Sequence, residues 1–185
     1  MKGFYFIVFS DLYSIIAHFN RKFKDLLFIL NCIFLLGLIL IVNQDFKNRE
    51  VSILLFLVIG IVGGYLHYKT QYLNVFLLSL LINFSTILIL VFILLIYTKF
   101  VLKMELKETI GLGDLFFFMV LAISFPTISF MMLFSMSFVF SLILFLVLKT
   151  KMKNKTVPLA GLQALFLGLV ILINLLFNFV NLYAI

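Results

Sequence analysis

The stretch 115–148, "LFFFMVLAISFPTISFMMLFSMSFVFSLILFLVL", decides how this chain crosses a membrane. As one helix it would be about 50 Å long at about 1.5 Å per residue, whereas a hydrocarbon core is about 30 Å thick. Pro126 lies inside the run, and proline disfavours helical backbone at the residue before it. We therefore predict a short helix at Leu115–Phe125 and a full membrane span at Ile128–Leu148.

The rest of the chain has the composition of a membrane protein. Of its 185 residues, 65% are hydrophobic and 11% are charged, which is far from the balance of a soluble domain. Apolar runs long enough to span recur, and the short alternating segments of a membrane barrel are not seen. We predict an all-α, polytopic membrane protein with six membrane helices, the other four being Leu26–Val42, Val51–His67, Leu73–Tyr97 and Leu159 to about Leu182.

The first 24 residues are set apart as a separate segment, and residues 25–185 as the six-helix domain. The N-terminal stretch is apolar but interrupted by Ser10, Asp11 and His18. It could lie in the membrane interface as an amphipathic helix, or it could be an additional, polar span. The interfacial alternative is favoured.

The net charge of +7 is read as a sign of topology rather than of nucleic-acid binding, because the basic residues lie in loops between spans. The positive-inside rule places the face with more Lys and Arg in the cytoplasm. The chain reaches that face at the end of the first span. Its excess of Lys and Arg depends on the break at Pro126. It carries Lys47, Arg49, Lys99, Lys103, Lys107, Lys149, Lys151, Lys153 and Lys155, against Arg21, Lys22, Lys24 and Lys69 on the other face.

Asp45 and Asp114, two of only four aspartates, are predicted to lie on this same cytoplasmic face. Two carboxylates held a few ångströms apart cannot both ionise cheaply, so they share a proton. One can then act as general base on a water while the other polarises a scissile carbonyl. Gly111 and Gly113 precede Asp114, and glycine permits close backbone approach and unusual dihedral angles.

Each aspartate taken alone has a simpler explanation. Asp114 could be a helix N-cap, and Asp45 could be a loop residue paired with Lys47 or Arg49. If both are catalytic, helix dipoles favour Asp114 as the base and Asp45 as the acid, although the two basic residues oppose this assignment. The single cysteine, Cys32, lies in an apolar run, and no Cys/His cluster offers a zinc site, so neither a metal nor another cofactor is expected.

Both aspartates lie in motifs that resemble those of the prepilin peptidases (type IV leader peptidases), a family of GxGD intramembrane aspartyl proteases. In that family the first aspartate begins a pattern like D-x-basic-x-basic-x-aliphatic, and here the chain reads "DFKNREV" at 45–51. The second motif is GxGDxKL, and here the chain reads "GLGDLFF" at 111–117. The order and number of spans also match, over roughly residues 26–182.

The resemblance implies a membrane-embedded aspartic endopeptidase that removes the leader of pilin-like precursors at the cytoplasmic face of the inner membrane. Asp45 and Asp114 would be the catalytic pair, supported by Gly111 and Gly113. Two departures are that Phe116 stands at the lysine position and that Ser52-Ile53 replaces the usual Pro-Asn. The bilayer and pilin-like precursors are the partners implied, and basic leaders could be received by Glu50, Glu105 and Glu108.

Two other functions stay open from the sequence. Phe116 would suit a non-catalytic relative that acts in pilus or secretion-system assembly. A small proton- or cation-coupled transporter is disfavoured, because the acidic pair is expected at one interface rather than near the middle of the bilayer.

Small residues in two spans are interpreted as packing positions. Ala160, Ala164 and Gly168 recur every four residues in the last span, and a glycine cluster (Gly60, Gly63 and Gly64) lies in the second. His67 is expected at the membrane interface, on the face away from the aspartates.

Overall fold

A computed structural model describes the backbone of residues 2–103, 111–148, 158–177 and 181–183, and their side chains apart from those of 2–21, 23, 102 and 148. These residues form six α-helices and no strand, which confirms the all-α fold class. The helices are α1 Lys2–Asn48, α2 Ile53–Thr70, α3 Leu73–Tyr97, α4 Leu112–Ser124, α5 Thr127–Leu148 and α6 Leu159–Phe177, and a π-helical turn, Thr98–Leu102, follows α3.

Five of the described helices are long and apolar enough to cross a bilayer. In α1 this part is Lys24–Asn48, and the others are α2, α3 with its π-helical turn, α5 and α6. Large apolar side chains such as Leu54, Leu88 and Ile143 are exposed, as expected of surfaces that face lipid. The chain is therefore a multi-pass membrane protein.

The predicted break at Pro126 is confirmed. Helix α4 ends at Ser124, Phe125 has an extended backbone (φ −134°, ψ 148°), and α5 begins at Thr127. This is the effect of proline on the preceding residue, whose helical conformation clashes with the proline ring. With 13 residues, α4 is only about 20 Å long and does not match the thickness of a hydrocarbon core.

Side chains from two other helices satisfy the carbonyl groups that the break leaves free. The amide nitrogen of Asn83 on α3 donates to the carbonyl oxygens of Ala122 and Phe125, at 2.9 Å each. On α2, Nδ1 of His67 lies 2.9 Å from the carbonyl oxygen of Ile123. The His67 side chain, in the last turn of α2, is 0% exposed, because it is needed where α4 ends. Its depth in the membrane stays a prediction.

Helix α4 is packed tightly against α2 through the glycine cluster. A Cβ atom on Gly63 would collide with the Ser124 hydroxyl, and one on Gly64 would lie 2.7 Å from Cγ2 of Ile123. On the other faces of α4, Phe117 and Phe118 are buried in the core. The packing interpretation of these glycines is confirmed, since they let α2 approach α4 closely.

Helix α6 lies along α1, and its small-residue stripe is part of this contact. Ala160 and Ala164 are buried. A Cβ atom on Gly168 would be 3.8 Å from Leu35 and 4.0 Å from Leu38, which is ordinary van der Waals separation. The α6 backbone can therefore approach α1 closely, as the small side chains predict.

The N-terminal segment is helical in backbone and continuous with the first span. No interruption separates residue 24 from residue 25, since α1 runs from Lys2 to Asn48. Whether this segment lies in the interface or crosses the bilayer stays a prediction.

Replacement of Asn83 by leucine should destabilise the protein by about 1–2 kcal/mol, because two buried carbonyl oxygens lose their donor. The measurement is the thermal unfolding midpoint in detergent. Thr86→Val is the matched control: Thr86 lies on the same helix and bonds only to Ile82 of its own helix. Equal midpoints for the two variants would contradict a special role for Asn83 at the break.

Candidate active site

The first turn of α6 holds Asp45 and Asp114 side by side. The backbone N–H of Gly161 donates to Oδ2 of Asp45 at 2.6 Å, and the N–H of Ala160 donates to Oδ1 of Asp114 at 2.7 Å. Because these two amides are consecutive in the chain, the two carboxyl groups must be neighbours. The structure thus brings together the two aspartates that the sequence singled out.

Three helix ends meet at this point. Asp45 is in the last turn of α1, which ends at Asn48, and Asp114 is the third residue of α4. Helix α6 begins at Leu159 and presents its first amides to both. The first N–H groups of a helix have no partner within the helix and carry the positive end of its dipole, so they are suited to bind carboxylates.

The two carboxyl groups are largely shielded from water. Asp45 is 8% exposed, although its neighbour Phe46 is 38% exposed. Asp114 is half-buried. A buried carboxyl group is tolerated where hydrogen bonds replace its water, and here each group has at least one short backbone bond.

Gly111 and Gly113 precede Asp114, and they do not have the unusual backbone conformation that the sequence analysis expected. Gly111 is the N-cap of α4, so Asp114 is not the cap but the residue whose Oδ2 accepts the Gly111 N–H, at 3.3 Å. Neither glycine has a positive φ. A Cβ atom on Gly113 would meet nothing within 4 Å. The expected unusual dihedral angles are therefore absent here, and only Gly111 contacts Asp114.

Gly161 is a site residue that the sequence analysis missed. A Cβ atom there would lie 2.8 Å from Oδ2 of Asp45, 3.0 Å from its Cβ and 3.1 Å from the Phe46 ring. Glycine is thus required at 161 for the backbone to reach the carboxylate. The residue lies one position beyond the first alanine of the small-residue stripe, and its place in the first turn of a helix was the available signal.

Arg49 lies shortly after Asp45, and its backbone N–H donates to the Asp45 carbonyl oxygen at 3.2 Å. It follows the end of α1 with a left-handed backbone (φ 59°), which is uncommon for a residue other than glycine. Its Nη1 atom is buried and has no hydrogen-bond partner among the described residues.

Phe116 occupies the position at which prepilin peptidases carry lysine, and it has an aromatic environment. Its ring stacks on that of Phe56 from α2, with centroids 6.0 Å apart and an interplanar angle of 24°. Phe56 is buried at 3% exposure. An apolar contact between α2 and α4 therefore lies two residues after Asp114.

Three glutamates were predicted to contact a basic leader, and the structure describes one of them. Glu50 is exposed just after α1. Glu105 and Glu108 lie outside the described residues. Within the described part of the chain, no group of three or more His, Cys, Asp or Glu side chains could hold a metal ion.

Gln163, two residues after Gly161, was also missed. Its side chain is 0% exposed. Neither its amide nitrogen nor its amide oxygen has a hydrogen-bond partner among the described residues. No contact with the described residues accounts for this burial.

Comparison of the chain with protein-family models, with curated proteins and with solved structures returned no significant match. Function is therefore inferred from the site and from the motifs around it.

Replacement of Gly161 by alanine should destabilise the protein by about 1–3 kcal/mol, because the added methyl group overlaps Asp45 and Phe46. Thermal unfolding in detergent would measure the effect. Gly168→Ala, two turns further along the same helix, is the control and should be close to neutral, because its Cβ has ordinary contacts. A Gly161 variant as stable as the Gly168 variant would show that the close approach is not needed.

Proposed function

We propose that this protein is a membrane-embedded aspartic endopeptidase of the prepilin-peptidase type. The observation that carries the proposal is the pair of carboxyl groups, Asp45 and Asp114, bound to consecutive amides at the start of α6. A chance helix cap or a loop ion pair would not require two aspartates from distant parts of the chain to share one helix N-terminus. The likeness of both motifs to those of the family supports the same conclusion.

The chemistry would use one ionised and one protonated carboxyl group. The carboxylate takes a proton from a water molecule as the water oxygen attacks the scissile carbonyl carbon. The carboxylic acid donates its proton toward the carbonyl oxygen, giving a tetrahedral diol. The diol then collapses as the C–N bond breaks. The leaving nitrogen receives a proton from the group that first acted as base, and one hydroxyl proton of the diol returns to the other carboxylate, which restores the dyad.

The proposed substrates are pilin-like precursors, cleaved at the cytoplasmic face of the inner membrane. This assignment rests on the resemblance of the motifs and on the excess of Lys and Arg in the loops on the aspartate side. Since the dyad lies at helix ends rather than at mid-helix, a substrate could reach it from the membrane surface. The same placement disfavours a transporter, which would use the centre of the bilayer.

One specific observation favours a second candidate. Phe116 stacks on Phe56 where the family has lysine. A relative that lost activity and kept a role in pilus or secretion-system assembly would fit this substitution.

The direct test is co-expression with pilin-like precursors from the same genome, with leader removal scored on gels. Asp45→Asn and Asp114→Asn should each reduce cleavage by about 10²–10⁴-fold, because each removes one proton-transfer group. Asp25→Asn is the matched control, since Asp25 is an exposed aspartate on the same helix as Asp45. Cleavage retained by either dyad variant would rule out the mechanism, and no cleavage by the wild type would favour the assembly role.

Charge reversal at the proposed leader contacts tests the substrate class. Glu50→Lys and the pair Glu105→Lys/Glu108→Lys should weaken cleavage of a basic leader by raising KM rather than by lowering kcat. The loss should shrink at high salt, because exposed charges are screened. The initial cleavage rate at several precursor and salt concentrations would measure this, and unchanged KM values would remove the glutamates from the site.

A further inference from the structure

Gln163 is a buried side chain whose hydrogen-bonding groups are both unused among the described residues. It is 0% exposed, and neither Nε2 nor Oε1 has a partner among those residues. By contrast, the amide of Asn83 donates twice to α4, and that of Gln71 donates to the carbonyl oxygen of Tyr183. Burial of a whole amide group without hydrogen bonds is costly, so Gln163 requires an explanation.

The position of Gln163 on α6 directs its amide toward the dyad. It lies three residues after Ala160, whose N–H binds Asp114, so the two positions share a helix face. Long side chains in helices point back toward the N-terminus, which is the end of α6 that binds both carboxyl groups. Gln163 and Asn174 are the two polar residues of α6, and Gln163 is the one near this end.

The same residue lies on the side of α6 that faces away from α1. Gly161 and Gly168 mark the side toward α1, and position 163 lies about 200° around the helix from position 161. Phe166, three residues after Gln163, packs its ring on Phe140 of α5, with centroids 5.3 Å apart. The Gln163 side chain is therefore directed into the bundle on the side where α5 packs, rather than toward Asp45.

The chemistry of a side-chain amide fits a peptide main chain as its ligand. Glutamine offers a carbonyl acceptor and two N–H donors, and an extended peptide offers the complementary pair at every residue. Helix α6 carries no charged residue that would select a charged ligand instead. A peptide that leaves water for an enclosed site needs such partners, because its N–H and C=O groups lose their bonds to water.

We propose that Gln163 is a substrate-binding residue whose amide binds the main chain of an extended peptide beside the scissile bond. The inference rests on the proposed function, because it takes the dyad as the place of cleavage. Asp114 is half-buried, and Gly111 and Leu112 at the start of α4 are exposed, so the peptide enters from that side. Its main chain then supplies the two kinds of hydrogen bond that Gln163 does not make with the described residues.

Thermal unfolding in detergent tests whether Gln163 already has a partner inside the protein. Methionine resembles glutamine in length and shape without its polar groups, so Gln163→Met should leave the unfolding midpoint unchanged or raise it. Asn83→Leu, which removes two hydrogen bonds, should lower the midpoint and serves as the contrast. A clearly lowered midpoint in Gln163→Met would show that the amide has a structural partner, and it would overturn the proposal.

Cleavage kinetics test the binding role. The substrate is a synthetic peptide that spans the leader cleavage site of the pilin-like precursor. Gln163→Met should raise KM about 5- to 30-fold and keep kcat within about twofold, because hydrogen bonds formed on binding are lost. Gln71→Met is the matched control and should change neither constant, since Gln71 follows α2 at the end opposite the dyad. An unchanged KM in Gln163→Met would contradict the role.

A double-mutant cycle tests whether the bonds go to the peptide main chain. Peptides with one ester linkage in place of an amide lack a single N–H donor, and Asp114→Asn should bind them without cleavage. At one position near the cleavage site, the ester should weaken binding about 5- to 10-fold with Gln163 present and have little effect in the Gln163→Met background. If no ester position shows this coupling, Gln163 binds no peptide N–H and the proposal fails.

These outcomes separate the role of Gln163 from the proposed function. Cleavage by the wild type without coupling at Gln163 would remove this role and leave the endopeptidase in place. Coupled peptide binding without cleavage by the wild type would count against the endopeptidase and leave Gln163 as a peptide-binding residue. Neither binding nor cleavage would overturn both.

Discussion

Two hydrogen bonds organise the functional end of this bundle. The amides of Ala160 and Gly161 reach carboxyl groups that are 46 and 116 positions away in the chain. For both bonds to form, the end of α1 and the start of α4 must converge on the start of α6. The small residues of α6, above all Gly161, permit that approach. The carboxyl groups, taken from water, are stabilised by backbone donors at a positive helix end.

The C-terminal end of α4 also needs hydrogen-bond partners from other helices. A helix too short to cross the membrane must end inside the protein, where free carbonyl groups need internal partners. Asn83 and His67 supply them from α3 and α2. Polar groups from other helices thus meet both ends of α4. At the C-terminal end of α4, side chains of α2 and α3 bind the free carbonyl groups. At its N-terminal end, Asp114 lies beside Asp45 at the start of α6.

Local features were predictable from the chain, and features set by long-range packing were less so. The bounds of α3 and the break at Pro126 follow from hydropathy and from the conformational rule for proline. The burial of His67 was not predicted, because a histidine near the end of an apolar run resembles an exposed residue until its carbonyl partner is known. Gly113 was expected to allow close approach, yet its surroundings are open, and Gly161 has that property instead.

The sequence by itself determined the membrane class, the all-α fold and the division of the long apolar run, because transfer of apolar side chains and proline sterics act residue by residue. It also marked Asp45 and Asp114 by their motifs. Only the tertiary structure decided that these carboxyl groups meet on consecutive amides and that glycine is required at 161. Such contacts depend on how helices distant in the chain pack, and no local pattern encodes that distance.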